Sequence, residues 1–454
     1  MKVLKFGGKS LANGSPLNNV IEIIEEEQRH SDIAVVVSAR GNSTDLLIKM
    51  YELTVEGKEY EQVYDAFVQL QDTTSHGLEV DELFVELKEI LDSVKRLKIS
   101  SDKLKDKIVS YGELLSARLI SHILVANGLN AVFVDARNIF KTNNGLKSSG
   151  IDHLQSQGLT KAYFDSLEPG QIPIITGFIA SNDKNETVTL GRNGSNLSAS
   201  LIANFIDAEE VQNWTDVNGV YTASPKLVQQ AELISHLSFK EAHELANFGT
   251  TILHPRTINP LMEKGIPIKI YNSIDRQKAG TIIDMDGSKK GIKVVSAIEN
   301  VAMISIESKD ITARVGISGR IFSALGKYNV SVRLISQAST DLSVGFVVDS
   351  EDSEIAKNAL IEEFETELEN GSILGISLNT NVVIIAIIGR HNYALEKAIY
   401  GLRKNKIWMY LISNSISGSQ ISLVIDSGNL QKAVNIVYEQ VFEKDKSLEE
   451  VYAT

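Results

Sequence analysis

The sequence predicts an α/β protein: a large layered domain built on a mostly parallel sheet, followed by two smaller repeated modules. Over roughly the first 280 residues, short apolar runs rich in β-branched residues alternate with amphipathic helical stretches, which is typical of layered α/β domains. After about Gly280 the pattern changes, and the order strand, helix, strand, strand, helix occurs twice. We therefore expect one domain over residues 1–285 and two modules over 286–375 and 376–454.

The first predicted strand is short and apolar, and it runs into a glycine pair, Gly7-Gly8. Adjacent glycines let the backbone approach an anion closely and turn its N–H groups towards it. Lys5 adds a positive charge near the end of the strand, and a helix follows, with Ser15 as a good N-cap and Pro16 at its first position. This arrangement favours a phosphate-binding loop. It matches neither GxxxxGK[ST] nor GxGxxG, and a plain tight turn is the alternative.

Polar turns, most of them with glycine, follow the predicted strands of the large domain. Further strands are expected at residues 33–37, 131–134, 172–178, 187–190, 211–214 and 267–271, with helices over 45–127. The turns lie at residues 7–10, 38–45, 176–178, 191–196 and 215–221. Because ligands bind beyond the carboxyl ends of parallel strands, we expect these turns to converge on one site.

The two C-terminal repeats have the same predicted order of elements. In the first repeat, strands are expected at 301–306, 330–336 and 342–348, and helices at 317–327 and 353–367. In the second repeat, strands are expected at 382–388, 408–412 and 420–425, and helices at 393–403 and 429–441. The order indicates ferredoxin-like βαββαβ modules, each of which still needs one strand that the pattern does not place. Neither carries an obvious acid, base and nucleophile, so we expect binding or pairing modules.

Composition excludes several classes of function. The chain has no cysteine, which rules out disulfides, thiolate nucleophiles and cysteine–zinc sites. The net charge of −13 argues against a general nucleic-acid surface, which needs a basic face. The purest apolar run, 382–388, is far too short to span a bilayer. With no signal peptide before the first strand, we expect a cytoplasmic protein without a membrane partner, and any metal would be bound by carboxylates or arrive as substrate-borne magnesium.

Several short motifs occur in order along the large domain: Lys5-Phe6-Gly7-Gly8-x-Ser10, Gly112-Glu113-Leu114, Leu190-Gly191-Arg192-x-Gly194-Ser195, Trp214-Thr215-Asp216-Val217-x-Gly219-Val220-Tyr221-Thr222 and Leu253-His254-Pro255. With them the sequence resembles an aspartate kinase of the amino-acid kinase fold, a carbamate kinase-like three-layer domain, with two C-terminal ACT modules. The resemblance implies phosphoryl transfer from ATP, with Mg²⁺, to the β-carboxylate of L-aspartate, the entry step of lysine, threonine and methionine synthesis. That carboxylate is ionised at neutral pH, so the reaction needs no general base.

The resemblance also implies roles for individual residues. Lys5 would contact the transferring phosphate, Arg192 would clamp the α-carboxylate of aspartate, and Glu113 would bind its ammonium group. The implied catalytic set is Lys5, Lys9, Arg192 and Asn196. The implied substrate-binding set is Ser38, Thr44, Glu113, Arg192 and Ser195. The implied ATP-binding set is Lys5, Gly7, Gly8, Ser10, Thr215, Asp216, Tyr221 and Lys226, in which the glycines would supply backbone donors.

The sequence departs from the family pattern at several positions. The family usually has Thr at Lys9, Gly at Asn193 and Asp at Asn196, where the aspartate is expected to orient the catalytic lysine. A phosphate-binding lysine is replaced by Thr251, and Asp-Pro-Arg becomes Ser224-Pro225-Lys226. Our hypothesis is that Lys9 replaces the lost cation from the other wall of the site. The alternative is a weak or inactive kinase kept as an amino-acid sensor.

The first repeat resembles the effector-binding part of aspartokinase ACT modules, where a loop that opens a helix offers free N–H groups to an amino-acid carboxylate. The implied effector-binding residues are Ile317, Ser318, Ile321, Ser331, Val332 and Gln337. Because threonine-inhibited members have a glutamine where Gln337 stands, threonine is favoured over lysine as the feedback inhibitor. ACT modules usually pair between subunits, so a homodimer or larger homo-oligomer is implied. A turn that merely caps a helix is the alternative.

Overall fold

The computed structural model describes residues 1–442 apart from 73–75, 144–149, 249–252, 288–290, 310–315, 338–342, 391–392 and 417. The chain divides into two compact units. The first consists of Met1–Val220, Leu233–Ala242 and Ile252–Ser288, and the second of Tyr221–Glu232, His243–Thr251 and Lys289–Thr454. The two short segments of the second unit, at 221–232 and 243–251, fall inside the domain that the sequence predicted over 1–285.

The first unit alternates strands and helices as the sequence predicted. Its strands are β1 (Lys2–Phe6), β2 (Ile33–Val37), β3 (Ala131–Val134), β4 (Lys141–Thr142), β5 (Ile172–Thr176), β6 (Ile179–Asn182), β7 (Thr187–Thr189), β8 (Glu210–Thr215), β9 (His236–Ser238), β10 (Ile268–Asn272) and β11 (Thr281–Asp284). Its helices are α1 (Ser15–Gln28), α2 (Ser43–Val55), α3 (Glu61–Gln71), α4 (Asp81–Leu97), α5 (Asp102–Ala126), α6 (His153–Asp165), α7 (Gly194–Phe205) and α9 (Pro255–Lys264), and α8 (Phe239–Asn247) begins in it. The N-cap of α1 is Gly14 rather than the predicted Ser15, which lies within the helix.

The main sheet of the first unit has the strand order β3-β5-β2-β1-β8-β10-β11-β9. Neighbouring strands are parallel except for the antiparallel pair β10 and β11. The predicted, mostly parallel sheet is therefore confirmed. Its central strands are buried on both faces, as their continuous apolar runs indicate.

Successive side chains of β1 point to opposite faces of the sheet. Leu4 and Phe6 join a buried cluster with α1 and α5. Lys5 lies between them in the sequence and faces α7, whose residues line a small cavity with it. This alternation places one charged side chain in an otherwise apolar strand, on the α7 side of the sheet.

Helix α5 has 25 residues and a window with mean hydropathy of 1.3, so by length and composition it could cross a membrane. In the structure, 78% of that window is buried inside the protein. The helix contacts β2, β3 and β5 and shares their hydrophobic cluster. Such burial is typical of a core helix in a globular domain.

The second unit contains the two C-terminal repeats. Its strands are β12 (Gly291–Ser308), β13 (Val332–Gln337), β14 (Ser343–Asp349), β15 (Ile373–Arg390), β16 (Met409–Asn414) and β17 (Gln420–Asp426). Its helices are α10 (Ile317–Lys327), α11 (Ser353–Glu363), α12 (Glu365–Glu369), α13 (Ala394–Lys404) and α14 (Leu430–Phe442). These strands form one sheet in the order β13-β14-β12-β15-β17-β16.

The strand that each repeat lacked in the sequence pattern is supplied by β12 and β15, which are long enough to serve both halves of this sheet. The second half of β12 pairs with β14 and with the first half of β15. The first half of β12 pairs with the second half of β15, which also pairs with β17. The predicted limit at residue 375 therefore falls inside β15, and the repeats share a sheet rather than forming two independent domains.

Gly389 lies where β15 passes close to β12. Its φ is +118°, and a Cβ atom there would lie 2.3 Å from the carbonyl oxygen of Gly291. We expect Gly389→Ala to lower the free energy of unfolding by about 2–4 kcal/mol, because it adds both a clash and an unfavourable backbone conformation. Urea unfolding would measure it, with Gly375→Ala as the control, since nothing lies within 4 Å of a Cβ at that position. Equal stability of the two variants would contradict this account.

Candidate active site

A cleft of about 450 Å³ lies at the carboxyl ends of β1 and β2, between α5 and the start of α7. It is lined by Lys5, Gly8, Ser38, Ala39, Gly41, Thr44, Glu113, Phe178, Gly191, Arg192, Asn193, Gly194, Ser195 and Asn196. Turns that follow β1, β2, β5 and β7 thus meet at one place. The predicted convergence is confirmed for four of the five turns, whereas the turn at 215–221 does not line this cleft. Eight of the predicted site residues line this cleft: Lys5, Gly8, Ser38, Thr44, Glu113, Arg192, Ser195 and Asn196.

Lys5 is a buried cation in the wall of the cleft, with only 9% of its surface exposed. Burial lowers the pKa of its ammonium group to about 8, and the negative charge of Asp216 partly opposes that shift. A lysine held in this way has already lost most of its hydration. It therefore interacts more strongly with an arriving anion than a surface lysine does.

Glu113 contributes a buried carboxyl group to the same cleft and projects from α5. The backbone N–H of Ala39 donates to its Oε1 at 3.3 Å, and within the described residues its Oε2 is buried without a hydrogen-bond partner. Burial raises the pKa of this carboxyl group to about 8. The preceding residue, Gly112, has no side chain, which lets the helix approach the loop after β2 closely. A Cβ at this position would lie 2.8 Å from the Cβ of Ala39.

The turn before α7 places Arg192 at the mouth of the cleft, where its side chain is exposed. The next residue, Asn193, has φ of 58° in the left-handed region, which asparagine tolerates better than most residues other than glycine. Asparagine in place of the glycine usual in the family therefore adds little backbone strain at this position. Gly194 begins α7, and its missing side chain avoids Phe178, whose Cδ2 would lie 2.5 Å from a Cβ. The N-terminus of the helix consequently opens towards the cleft, where it favours a negative charge.

The glycine loop packs against the loop after β2. A Cβ at Gly8 would lie 2.6 Å from the carbonyl oxygen of Ala39, and the N–H of Gly41 donates to the Gly8 carbonyl at 2.8 Å. The N–H of Gly7 donates to the carbonyl of Trp214 at 3.2 Å. The prediction that both glycines offer free donors is therefore wrong for Gly7, because its N–H continues the pairing of β1 with β8.

Ser10 lies behind the glycine loop rather than open to a ligand. It is only 1% exposed, and its hydroxyl accepts a hydrogen bond from the Ser273 hydroxyl at 2.7 Å. This contact ties the glycine loop to the segment that follows β10. A direct contact of the Ser10 side chain with ATP is therefore not supported.

Lys9 is engaged in an ion pair: its Nζ donates to Oδ2 of Asp216 at 2.8 Å. Burial alone would raise the pKa of the Asp216 carboxyl, but the hydrogen bond and charge of Lys9 hold that pKa below its usual range. Thr215 Oγ1 donates to the other carboxylate oxygen at 3.2 Å. The hypothesis of Lys9 as a replacement cation thus needs revision, because in this structure Asp216 neutralises its charge.

Asn196 stands in the first turn of α7, and its Oδ1 is buried with no hydrogen-bond partner among the described residues. Tyr221 and Lys226, predicted to bind ATP, belong to the second compact unit, and their participation stays a prediction. Thr251 lies outside the described residues.

The family model for the amino acid kinase family matches residues 1–272, and a model for the ACT domain matches residues 304–364. The chain belongs to the amino acid kinase family. These matches confirm the predicted fold, an amino-acid kinase domain with ACT-type repeats.

A relative of this kinase-family chain, the bifunctional aspartokinase/homoserine dehydrogenase of Buchnera aphidicola, is 32% identical over 99% of this chain and 57% of its own length. The chain spans about half the length of the curated relatives of this kind that it matches. Escherichia coli aspartokinase III, solved with aspartate and ADP, matches with a TM-score of 0.84 and 25% identity over 98% of this chain and all of that chain. The same enzyme solved with lysine and aspartate matches with a TM-score of 0.76, at the same identity and coverage. The predicted resemblance to aspartokinases is confirmed.

The predicted effector residues of this kinase-family chain lie around the start of α10 and in or beside β13. Ser318 Oγ donates to Gln337 Oε1 at 3.2 Å, so these two polar residues are in contact. Ile317 and Ile321 pack in the core of their half of the sheet, with 8% and 0% exposure. Their side chains are thus structural, and an effector would meet backbone there. Val332 is the first residue of the edge strand β13, and Ser331 is the residue before it.

Sequence reasoning missed Arg40, whose side chain is fully buried beside the cleft. Its Nε donates to the Leu11 carbonyl at 3.0 Å, and its terminal nitrogens donate to the Gln71 carbonyl and to Asn13 Oδ1. These bonds join the glycine loop and the end of α3 to the loop after β2. An arginine within a polar turn gives no sign in the sequence that it will be buried.

The burial of Glu113 has a consequence for stability. Because its pKa is raised in the folded protein, a cost of burying the carboxylate accumulates as pH rises from the ordinary glutamate range to about 8. We expect Glu113→Gln to raise the free energy of unfolding at pH 9 by about 2–4 kcal/mol relative to its effect at pH 5. Urea unfolding at the two pH values would measure this, with the exposed Glu89→Gln as control. A pH-independent effect of Glu113→Gln would refute the assignment.

Proposed function

We propose that the chain is an aspartate kinase, which transfers a phosphoryl group from ATP to L-aspartate and forms ADP and 4-phospho-L-aspartate. One observation carries this proposal: a single cleft contains a buried carboxyl group with an unpaired oxygen, a buried lysine and an exposed arginine. These groups complement the ammonium and carboxylate of an amino acid and the phosphates of a nucleotide. The complex of E. coli aspartokinase III with aspartate and ADP supports the same pair of ligands.

In this mechanism, Glu113 accepts the ammonium group of aspartate through its unpaired Oε2, and Arg192 holds the α-carboxylate. Ser38, Thr44 and Ser195 complete the pocket as hydrogen-bonding groups. The β-carboxylate then attacks the terminal phosphorus without a general base, since it is already ionised. Catalysis depends on alignment of the two substrates and on stabilisation of charge on the phosphate oxygens.

Lys5 and the N-terminus of α7 would stabilise that charge. The lysine is preorganised by burial, so little solvent reorganisation accompanies the transfer. Magnesium is proposed to enter as part of the nucleotide substrate, held by its phosphate oxygens. Gly8, Thr215 and Asp216 would frame the nucleotide.

The ACT-type repeats are proposed to bind an amino-acid effector and to assemble a homodimer or larger homo-oligomer. The contact between Ser318 and Gln337 supports a polar effector pocket at the start of α10, and the glutamine favours threonine. The structure of E. coli aspartokinase III with lysine makes lysine the competing candidate. We place the enzyme in the cytoplasm, at the first step of lysine, threonine and methionine synthesis.

The test is trapping of the acyl phosphate as a hydroxamate in the presence of ATP, Mg²⁺ and L-aspartate. We expect aspartate-dependent hydroxamate from the natural chain, and a fall in kcat of about 10³-fold in Lys5→Met because its stabilising charge is lost. Threonine and lysine, added singly and together, identify the effector by loss of activity. A folded protein that binds neither ATP nor aspartate would end the proposal.

A second candidate is a catalytically weak amino-acid sensor. It is favoured by Asn196, which is neutral where the family has an aspartate, and by the engagement of Lys9 with Asp216. Such a protein would bind threonine or lysine but form no hydroxamate, so the same assay combined with calorimetric binding separates the two candidates.

The ion pair between Lys9 and Asp216 provides a specific prediction. We expect Lys9→Thr to raise KM for ATP about 10-fold or more, because the freed carboxylate would face the incoming phosphates without compensation. Steady-state kinetics measures this effect. Lys103→Thr is the matched control, since Lys103 is also exposed and forms a 2.9 Å ion pair, with Glu186. If Lys9→Thr behaves like that control, the pair has no part in nucleotide binding.

A further inference from the structure

A second, much smaller cavity of about 20 Å³ lies on the α7 side of the sheet, and Lys5 and Asn196 line both it and the cleft. Its full lining is Lys5, Asn196, Ala199, Ser200, Val211, Asn213, Leu253, Thr257, Leu261 and Ile268. Half of these side chains are apolar and half are polar or charged. The volume is sufficient for one water molecule, provided that polar partners surround it.

Asn213 is the unexpected member of this lining. It stands on β8 directly beside Lys5 in the parallel register of β1 and β8, and directly paired residues of neighbouring strands point to the same face of a sheet. It is 8% exposed, and its Oδ1 is buried with no hydrogen-bond partner in the part of the chain that the structure describes. An unsatisfied buried amide oxygen costs about 1–3 kcal/mol, so the Asn213 oxygen needs a hydrogen-bond donor within the cavity.

Asn196 presents a second buried oxygen with the same property from the first turn of α7. The donors and acceptors of the three polar side chains are complementary. The Lys5 ammonium offers three N–H groups and no acceptor, while each asparagine offers a carbonyl oxygen. One water molecule can donate to both carbonyls and accept from Lys5.

We propose that Asn213 is a positioning residue for Lys5, acting with Asn196 through one bridging water in the small cavity between β1, β8 and α7. The proposal rests on the kinase function proposed above, because it assigns the orientation of the lysine that would meet the transferring phosphate. The two asparagines orient the ammonium group through the water with neutral amide dipoles, where a carboxylate would add a negative charge. The positive charge of Lys5 thereby stays available to a phosphate.

The other charged groups around Lys5 are consistent with this arrangement. Asp216 acts on it from the end of β8 but is paired with Lys9, and Glu113 and Arg192 face it only across the open cleft. Burial in neutral surroundings lowers the pKa of the Lys5 ammonium to about 8. An additional carboxylate in the cavity would reverse that shift.

The test is competitive acetylation of the intact protein across pH, with the Lys5 peptide read by mass spectrometry, which gives the pKa of this one lysine without any activity. We expect Asn213→Leu to lower the Lys5 pKa by about one unit, and Asn213→Asp and Asn196→Asp each to raise it by about one unit or more. Ser200→Ala is the matched control. It lines the same cavity, but its hydroxyl already donates to the backbone carbonyl of Asn196 at 3.0 Å, so the Lys5 pKa should not move.

In kinetics, Asn213→Leu should lower kcat by about 10-fold while KM for aspartate stays unchanged. A crystal structure of the natural chain should show a water in contact with Lys5, Asn196 and Asn213. An unchanged Lys5 pKa in both Asn213 variants, or a cavity without that water, would overturn the proposal. Because acetylation needs no turnover, pKa shifts as expected in a protein that forms no hydroxamate would reject the proposed function and leave the positioning role standing.

Discussion

The burial of two ionisable groups, a lysine and a glutamate, at the carboxyl edge of a parallel sheet determines how this site is built. Lys5 and Glu113 are both more than nine-tenths buried, and burial moves the pKa of each group to about 8. Neither group neutralises the other through a direct contact. Near neutral pH Lys5 therefore stays mostly charged, while Glu113 is mostly protonated. A ligand that brings an anion to Lys5 and a cation to Glu113 would stabilise the charged form of both groups. An amino acid next to a nucleotide phosphate has that charge distribution.

The walls of the cleft can hold such charges because backbone segments approach one another unusually closely. Gly8 lies against the Ala39 carbonyl, Gly112 against the Ala39 side chain, and Gly194 against Phe178. In each case a Cβ would collide with its neighbour, so the glycines are required by packing as well as by any ligand. Arg40 holds the same loop from behind through bonds to backbone carbonyls. The result is a closely packed frame around the buried Lys5 and Glu113.

The sequence predicted what depends on local pattern. Continuous apolar runs located the central strands, and the polar turns after them located four of the walls of the cleft. Lys5 was located by its place near the end of the first strand, whereas Glu113, which lies within α5, was indicated only by the family resemblance. It could not predict features that depend on partners distant in the chain. The pairing of β12 with β15 joins residues separated by about 80 positions, so the shared sheet of the two repeats gives no local signal. The bond from Gly7 to Trp214 and the pair of Lys9 with Asp216 are long-range in the same sense. Asn213, within an ordinary strand, acquires meaning only from the parallel register that sets it beside Lys5.

The departures from the aspartokinase pattern act together on one electrostatic quantity, the field at Lys5. Asn196 removes an anion next to the lysine, and Lys9 neutralises Asp216, the carboxylate that acts on Lys5 from the end of β8. Both changes leave the lysine less compensated before any ligand binds. A less compensated, desolvated ammonium gains more when a polyanion arrives, because the Coulomb attraction is screened neither by water nor by a competing carboxylate. The lack of a compensating carboxylate also lowers the fraction of Lys5 that is charged near pH 8. The site therefore combines strong attraction for an anion with a lowered pKa of Lys5, so an anion that binds there would also keep the Lys5 ammonium group protonated.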